Sequence, residues 1–311
     1  MASKWNRAHG LFAATLTPMH PDGTVNYDMI PTYIDHLVDN GVTQIYLNGT
    51  AAEHASLSVA ERKQLAVEWM KHGRDKLTCV VVHCGTGNLV DTKELAAHAE
   101  SVGAHCVAAV MPTYFKPSNV ESIADYCAEV ARAAPNTPFM YYHFPAATGI
   151  PFRCVDILRA LSPKIPNLIG AKFTNSDMFD AGEALQLENG RFDVVLGAEA
   201  MFVSGLAMGI DSGIGIAFSM IARPCARIRD AFNAGKLHEA QQEQYKVQAF
   251  WSATHVPGQN NQLVASFKQC MTLIGLDFGP PRLPIQPMSA KDAAKMKQQL
   301  EEKVDFFNWI K

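Results

Sequence analysis

Leu77–Cys84 reads LTCVVVHC and Cys106–Met111 reads CVAAVM, with GTGNLVDTKELAAHAESVGAH between them. Two short apolar runs flank a turn and an amphipathic stretch. A strand, a crossover helix and a second strand need roughly 30 residues, so this segment reads as one βαβ unit. Its apolar runs are continuous rather than alternating, which suits parallel strands covered on both faces. The pattern repeats along the chain. Strands are predicted at Gly10–Pro18, Val42–Asn48, Leu77–Cys84, Cys106–Met111, Pro138–Phe144, Leu168–Thr174, Phe192–Leu196 and Ser212–Ala217.

Helix signals fill the gaps. Ser58-Val59-Ala60-Glu61 forms a capping box ahead of an apolar-periodic stretch, and Asp91-Thr92-Lys93-Glu94 reads as a second helix start. Eight strand-helix units with no break in composition, and no Gly-x-Gly-x-x-Gly after the first strand, favour a closed (β/α)₈ barrel over an open doubly wound sheet. Past Ala217 no strand signal returns. Helices are predicted at about Ile221–Ala234, Leu237–Ser252, Asn260–Ile274 and Ala290–Ile310, with the loop Gly275–Pro287 before the last. The expected architecture is α/β: a (β/α)₈ TIM barrel over 1–218 that carries the active site, and a C-terminal helical extension over 219–311 packed on it.

Composition narrows the function. A 311-residue chain that is 48% hydrophobic with a net charge of −3 is expected to be a soluble globular protein. Its scattered Lys and Arg give no electrostatic footprint for nucleic acid or an anionic membrane. The seven cysteines are odd in number and show no CxxC or Cys/His ligand spacing, so buried, reduced thiols are expected and no metal centre. MASKWNRAHG lacks an apolar signal core and no window reaches the length of a membrane span, which points to the cytoplasm. Asn48-Gly49-Thr50 matches a glycosylation sequon, read here as accidental.

In such a barrel, side chains at the C-terminal ends of the strands face the active-site mouth. The sixth strand, Leu168-Ile169-Gly170-Ala171-Lys172-Phe173-Thr174, sets one lysine in an apolar run. A lysine withdrawn from water has a depressed pKa and becomes an amine nucleophile, as Schiff-base chemistry requires. The strand alone leaves open whether Lys172 does this or snorkels to the surface. In the fifth strand Tyr141 and Tyr142 must point to opposite sides, so one can serve as a proton relay, although packing is the commoner fate. His143 reads as structural. After the second strand, Asn48-Gly49-Thr50-Ala51-Ala52-Glu53 is a small-residue turn whose N–H groups and threonine hydroxyl suit a carboxylate. Tyr114 and Phe115, between Pro112 and Pro117, suit an interface or packing.

These segments together resemble the N-acetylneuraminate lyase and dihydrodipicolinate synthase superfamily, in order from about Gly10 to the end of the chain, and most nearly its animal lyase branch. Gly49-Thr50-Ala51-Ala52-Glu53 stands where that family has Gly-Thr-Thr-Gly-Glu. Tyr142-His143-Phe144-Pro145 matches Tyr-(Asn/His)-x-Pro, and Gly170-Ala171-Lys172 matches Gly-x-Lys. Tyr141, Ser56-Leu57-Ser58-Val59 and Gly279-Pro280-Pro281-Arg282-Leu283-Pro284 point to the animal branch.

The resemblance implies a class I aldolase that cleaves N-acetylneuraminate to N-acetylmannosamine and pyruvate with no metal and no organic cofactor. Lys172 would form the Schiff base and Tyr142 would relay protons. Thr50, with the Thr50 and Ala51 N–H groups, would hold the substrate carboxylate, and Tyr114 would reach a neighbouring subunit's site in a homotetramer. Thr174, Gly197 and Glu199 would complete substrate binding. Several positions depart from the family. Ala51 and Ala52 remove a carboxylate donor and a residue able to take positive φ, the former worth roughly 1.5–3 kcal/mol. Ala200 and Ile216 replace polar residues that would meet the sugar's hydroxylated tail. Ala146-Ala147-Thr148 offers no arginine for a second carboxylate, which sets the synthase branch aside. The alternatives are an aldolase for a less hydroxylated 2-oxo acid, and a barrel of low turnover acting as a binding protein.

Overall fold

The computed structural model describes residue 5 and residues 7–255, 263–304 and 306–309. Its strands are β1 (Gly10–Ala14), β2 (Gln44–Leu47), β3 (Cys79–His83), β4 (Cys106–Ala109), β5 (Phe139–His143), β6 (Leu168–Phe173), β7 (Asp193–Leu196) and β8 (Ser212–Gly215). They close in sequence order into a barrel, each parallel to its neighbours. Each lies within the run expected for it. The expected runs overshoot at the C-terminal end, for example to Pro18 where the strand stops at Ala14, because the apolar sequence continues into the loop that turns over the barrel mouth.

The helices are α1 (Ile30–Asp39), α2 (Val59–Gly73), α3 (Leu89–Ser101), α4 (Val120–Ala133), α5 (Pro145–Thr148), α6 (Cys154–Leu161), α7 (Met178–Gln186), α8 (Phe202–Ala207), α9 (Phe218–Asn233), α10 (Leu237–Thr254), α11 (Leu263–Leu273), α12 (Ala290–Val304) and α13 (Phe306–Trp309). The capping box at α2 forms as expected: the Glu61 N–H donates to the Ser58 hydroxyl and the Ser58 N–H to the Glu61 carboxylate. At α3 the cap is Asn88, whose side chain accepts from the Asp91 N–H, so the helix starts ahead of the Asp91 signal. The expected bounds Asn260 and Ile310 of two C-terminal helices lie outside the described residues.

Helix α9 begins at Phe218, earlier than the sequence suggests, and is kinked at Ile221 with Pro224 inside it. It packs on β1 and on α10, the position of the eighth helix of the barrel wall. One continuous apolar core runs from Phe12 through Trp69 and Phe173 to Phe250, Phe267 and Phe306. All seven cysteines are free and buried within it. At the N-terminal end of the strands, Asp193 accepts from the Trp5 indole (2.6 Å) and the Ala8 N–H (2.9 Å), and it pairs with Arg7 (3.1 Å), closing the barrel floor.

Candidate active site

The position of Lys172 follows from an irregularity in β6. Phe139 pairs with Leu168, but Met140 pairs with Gly170, so Ile169 is an extra residue. A one-residue slip exchanges the faces of a strand. Without it Tyr142 would stand opposite Ala171; with it Tyr142 stands opposite Lys172, and both point into the barrel. Gly170 permits the bulge: its φ is +148°, and a Cβ there would lie 1.8 Å from the Asp193 carbonyl oxygen.

Lys172 is 4% exposed, with its Nζ 4.0 Å from the centre of the Tyr46 ring and 4.2 Å from that of Tyr142. Burial lowers its pKa to about 7, against the pull of nearby Glu199. It therefore does not snorkel: at neutral pH a large share of the side chain is the free amine. The Tyr142 hydroxyl lies 3.2 Å from the Thr50 hydroxyl. Burial raises the Tyr142 pKa to about 12, while the Thr50 and Thr174 hydroxyls draw it down, so the phenol stays protonated. Tyr141 and His143 point the other way. His143 stacks on Phe173 and lies 3.9 Å from Asp180, in the layer between sheet and helices.

The turn after β2 reaches this site through the Thr50 hydroxyl. The Ala52 N–H donates to Gly49 O and the Glu53 N–H to Thr50 O, whereas among the described residues no backbone acceptor takes the Thr50 or Ala51 N–H. Two successive N–H groups, beside a hydroxyl that meets Tyr142, are thus available to an anion. The left-handed residues are Asn48 (φ 57°) and Glu53 (φ 59°), and Ala52 is not among them. The glycine missing at 52 therefore creates no backbone strain. Asn48 is buried, so the sequon is not a surface site.

Glu199, in the 3₁₀ turn after β7, is buried and accepts from the Ala217 N–H at 2.7 Å. Burial raises its pKa to about 7. It and Lys172 thus compete for a proton near neutrality. Gly215 makes room for it, since a Cβ there would lie 2.0 Å from its carboxylate. Likewise a Cβ on Gly197 would lie 2.0 Å from the Thr174 hydroxyl oxygen. Ile216 is buried and Ala200 half-buried beside Glu199. Tyr114 is not brought to this site: it is 88% exposed and edge-on to Phe115, also exposed.

Several residues that hold the site escaped the sequence reading. His83 donates from Nδ1 to Asn48 O (2.8 Å) and accepts the Val110 N–H at Nε2 (3.2 Å), the neutral form that burial enforces. Arg62 donates to Gly85 O and His83 O. Gln244 of α10 donates to Glu199 O (3.1 Å) and accepts from the Val203 N–H (2.9 Å). Lys268 of α11 forms a buried ion pair with Glu53 at 2.8 Å. Each of the three on helices shares an apolar stripe: Arg62 with Leu65, Ala66 and Trp69, Gln244 with Ala240 and Val247, Lys268 with Val264 and Met271. A polar residue on the buried stripe is the signal that marks them.

The geometry has close counterparts. The chain is 37% identical to the N-acetylneuraminate lyase of Mus musculus over 311 residues, covering 99% of this chain and 96% of that protein. Against the Homo sapiens lyase the identity is 37% over 302 residues, with 96% and 93% covered. Among solved structures, Proteus mirabilis N-acetylneuraminate lyase superposes with a TM-score of 0.91 at 33% identity, covering 97% of this chain and 100% of that one. A catalytic lysine mutant of Ruminococcus gnavus sialic acid aldolase gives 0.90 at 26% identity, covering 97% and 98%. Residues 7–303, nearly the whole barrel and its helical appendage, match the Dihydrodipicolinate synthetase family, and the chain belongs to that family.

Proposed function

We propose that this chain is a Schiff-base lyase that cleaves N-acetylneuraminate to N-acetylmannosamine and pyruvate. The observation that carries the reading is Lys172, an amine buried between two tyrosine rings with its pKa lowered to about 7. Its free amine attacks the ketone carbon C2 of the open-chain sugar acid. Tyr142 passes a proton to the departing hydroxyl, water leaves, and an iminium remains. The substrate carboxylate sits on the Thr50 hydroxyl and the N–H groups of Thr50 and Ala51, close to the Tyr142 hydroxyl. The Tyr142 phenolate left by the loss of water takes the C4 hydroxyl proton, the C3–C4 bond breaks to leave N-acetylmannosamine as the aldehyde, and the electron pair moves into the iminium to give an enamine. Protonation at C3 and hydrolysis release pyruvate and restore the amine. The chain's own lysine is the electron sink, so the scheme calls on no cofactor.

Thr174, Gly197 and Glu199 line the side of the site that would meet the sugar tail. Tyr114 and Phe115 are the exposed aromatic pair through which a second copy would be met in a homotetramer. A cytoplasmic enzyme of this kind accords with the free, buried cysteines. Buried Ile216 favours one second reading, an aldolase for a 2-oxo acid with fewer hydroxyls.

Borohydride reduction with pyruvate tests the first step. The wild type should gain a pyruvate-derived adduct mapped to Lys172, at a rate that rises as pH passes upward through about 7, where the amine loses its proton. Lys172→Met should gain none while remaining folded. An adduct on another lysine, or none, defeats the reading. A kcat/KM for a short 2-oxo acid aldol above that for N-acetylneuraminate selects the second reading.

A further inference from the structure

Glu53 ends the turn that carries Thr50 and Ala51, yet its side chain leaves the barrel mouth. It is buried, and its backbone is left-handed, a conformation that a residue with a Cβ keeps only where its surroundings fix it. Those surroundings come from far along the chain. Lys268 places its Nζ 2.8 Å from Glu53 Oε1, both side chains at or below 3% exposure. The same Nζ donates to Pro280 O at 2.9 Å. The Arg282 N–H donates to Glu53 Oε2 at 2.7 Å, and the Arg282 guanidinium continues to Ser56 O and Glu61. On its other side the turn is held by the Thr17 hydroxyl, which donates to Ala52 O at 2.8 Å.

We infer that Lys268 of helix α11 is a positioning residue for the carboxylate-binding turn, acting through Glu53. The inference rests on the proposed Schiff-base reading. The Thr50 and Ala51 N–H groups bind a carboxylate only while Thr50 O and Gly49 O occupy the Glu53 and Ala52 N–H groups, and that pattern requires the left-handed Glu53. Removing Lys268 leaves the buried carboxylate without its direct ion-pair partner, with only the Arg282 N–H and the more distant Arg282 guanidinium, which is itself paired with Glu61. The carboxylate then seeks water, and the cheapest route is rotation of the turn away from α11. The amine of Lys172 lies on β6 and is untouched by that rotation. Substrate binding should therefore fail before chemistry does.

The test compares pyruvate saturation of borohydride trapping with turnover of N-acetylneuraminate. In Lys268→Met, the pyruvate concentration for half-maximal trapping should rise about tenfold, the loss of roughly one hydrogen bond to a charged group. The maximal extent of modification of Lys172 should stay close to wild type, kcat should fall by less than the half-saturation rises because Thr50 also directs the Tyr142 hydroxyl, and Lys268→Arg should recover most of the affinity. Should Lys268→Met not fold, Lys268→Gln, which can still donate to Pro280 O but brings no charge to Glu53, carries the same readout. A folded variant with unchanged half-saturation, or one that loses kcat at unchanged half-saturation, overturns the inference while trapping by the wild type upholds the chemistry. Absence of trapping in the wild type overturns both.

Discussion

In the proposed reaction the Tyr142 hydroxyl relays protons, a role supported by burial, which keeps it protonated, and by the Thr50 hydroxyl 3.2 Å away, which directs it. Tyr142→Phe retains the ring against Lys172 and removes the relay. We expect kcat to fall by about 10²–10⁴-fold with little change in the thermal midpoint; an unchanged kcat would return Tyr142 to packing. Gly215→Ala addresses Glu199 without altering it, by placing a methyl group where its carboxylate lies. Displaced Glu199 should raise KM for N-acetylneuraminate and leave pyruvate trapping intact, which steady-state kinetics on both would read. That Lys172, Tyr142 and Thr50 meet was legible because strand ends and the order of the motifs single them out. The tasks of Arg62, Gln244 and Lys268 were not, because a polar residue on an apolar stripe announces burial but not its partner. Glu53–Lys268 spans more than two hundred positions, a separation that no local pattern encodes.

Among the elements, β6 shows where a periodic reading stops. Its existence followed from an apolar run, and the inward face of Lys172 did not, since that depends on the bulge at Ile169 and on how closely β7 approaches Gly170. Gly170→Ala would drive a methyl group into the Asp193 carbonyl at a φ that L-residues avoid. We expect a loss above about 4 kcal/mol, the range reserved for broken backbone arrangements, seen as a lowered urea midpoint or insoluble protein. A variant of wild-type stability and activity would show that the bulge is dispensable. The start of α3 is a smaller case of the same kind. Asp91-Thr92-Lys93-Glu94 reads as the helix start, yet the helix begins at Leu89 because the Asn88 side chain accepts from the Asp91 N–H.

For the whole molecule, a division at residue 218 cuts at the first residue of α9, whose packing on β1 completes the barrel wall. The same cut removes Gln244 from Glu199 and Lys268 from Glu53. We propose that residues 1–218 do not form an independent domain: expressed alone, they should bind a hydrophobic dye and melt without a cooperative transition, whereas the full chain melts cooperatively. A cooperative melt of the fragment would restore the two-part organisation that the end of the strand signals suggested. Sequence marked where strands stop, but not that the next helix still belongs to the wall. The burial of all seven thiols has a practical corollary. A maleimide dye finds no ready native target, so Tyr114→Cys, at a position 88% exposed, would give a single reactive handle. If copies meet over the loop as proposed, the labelling rate of that thiol would fall with protein concentration, and a rate independent of concentration would refute that contact; the chain's hidden cysteines supply the dark background for such an assembly sensor.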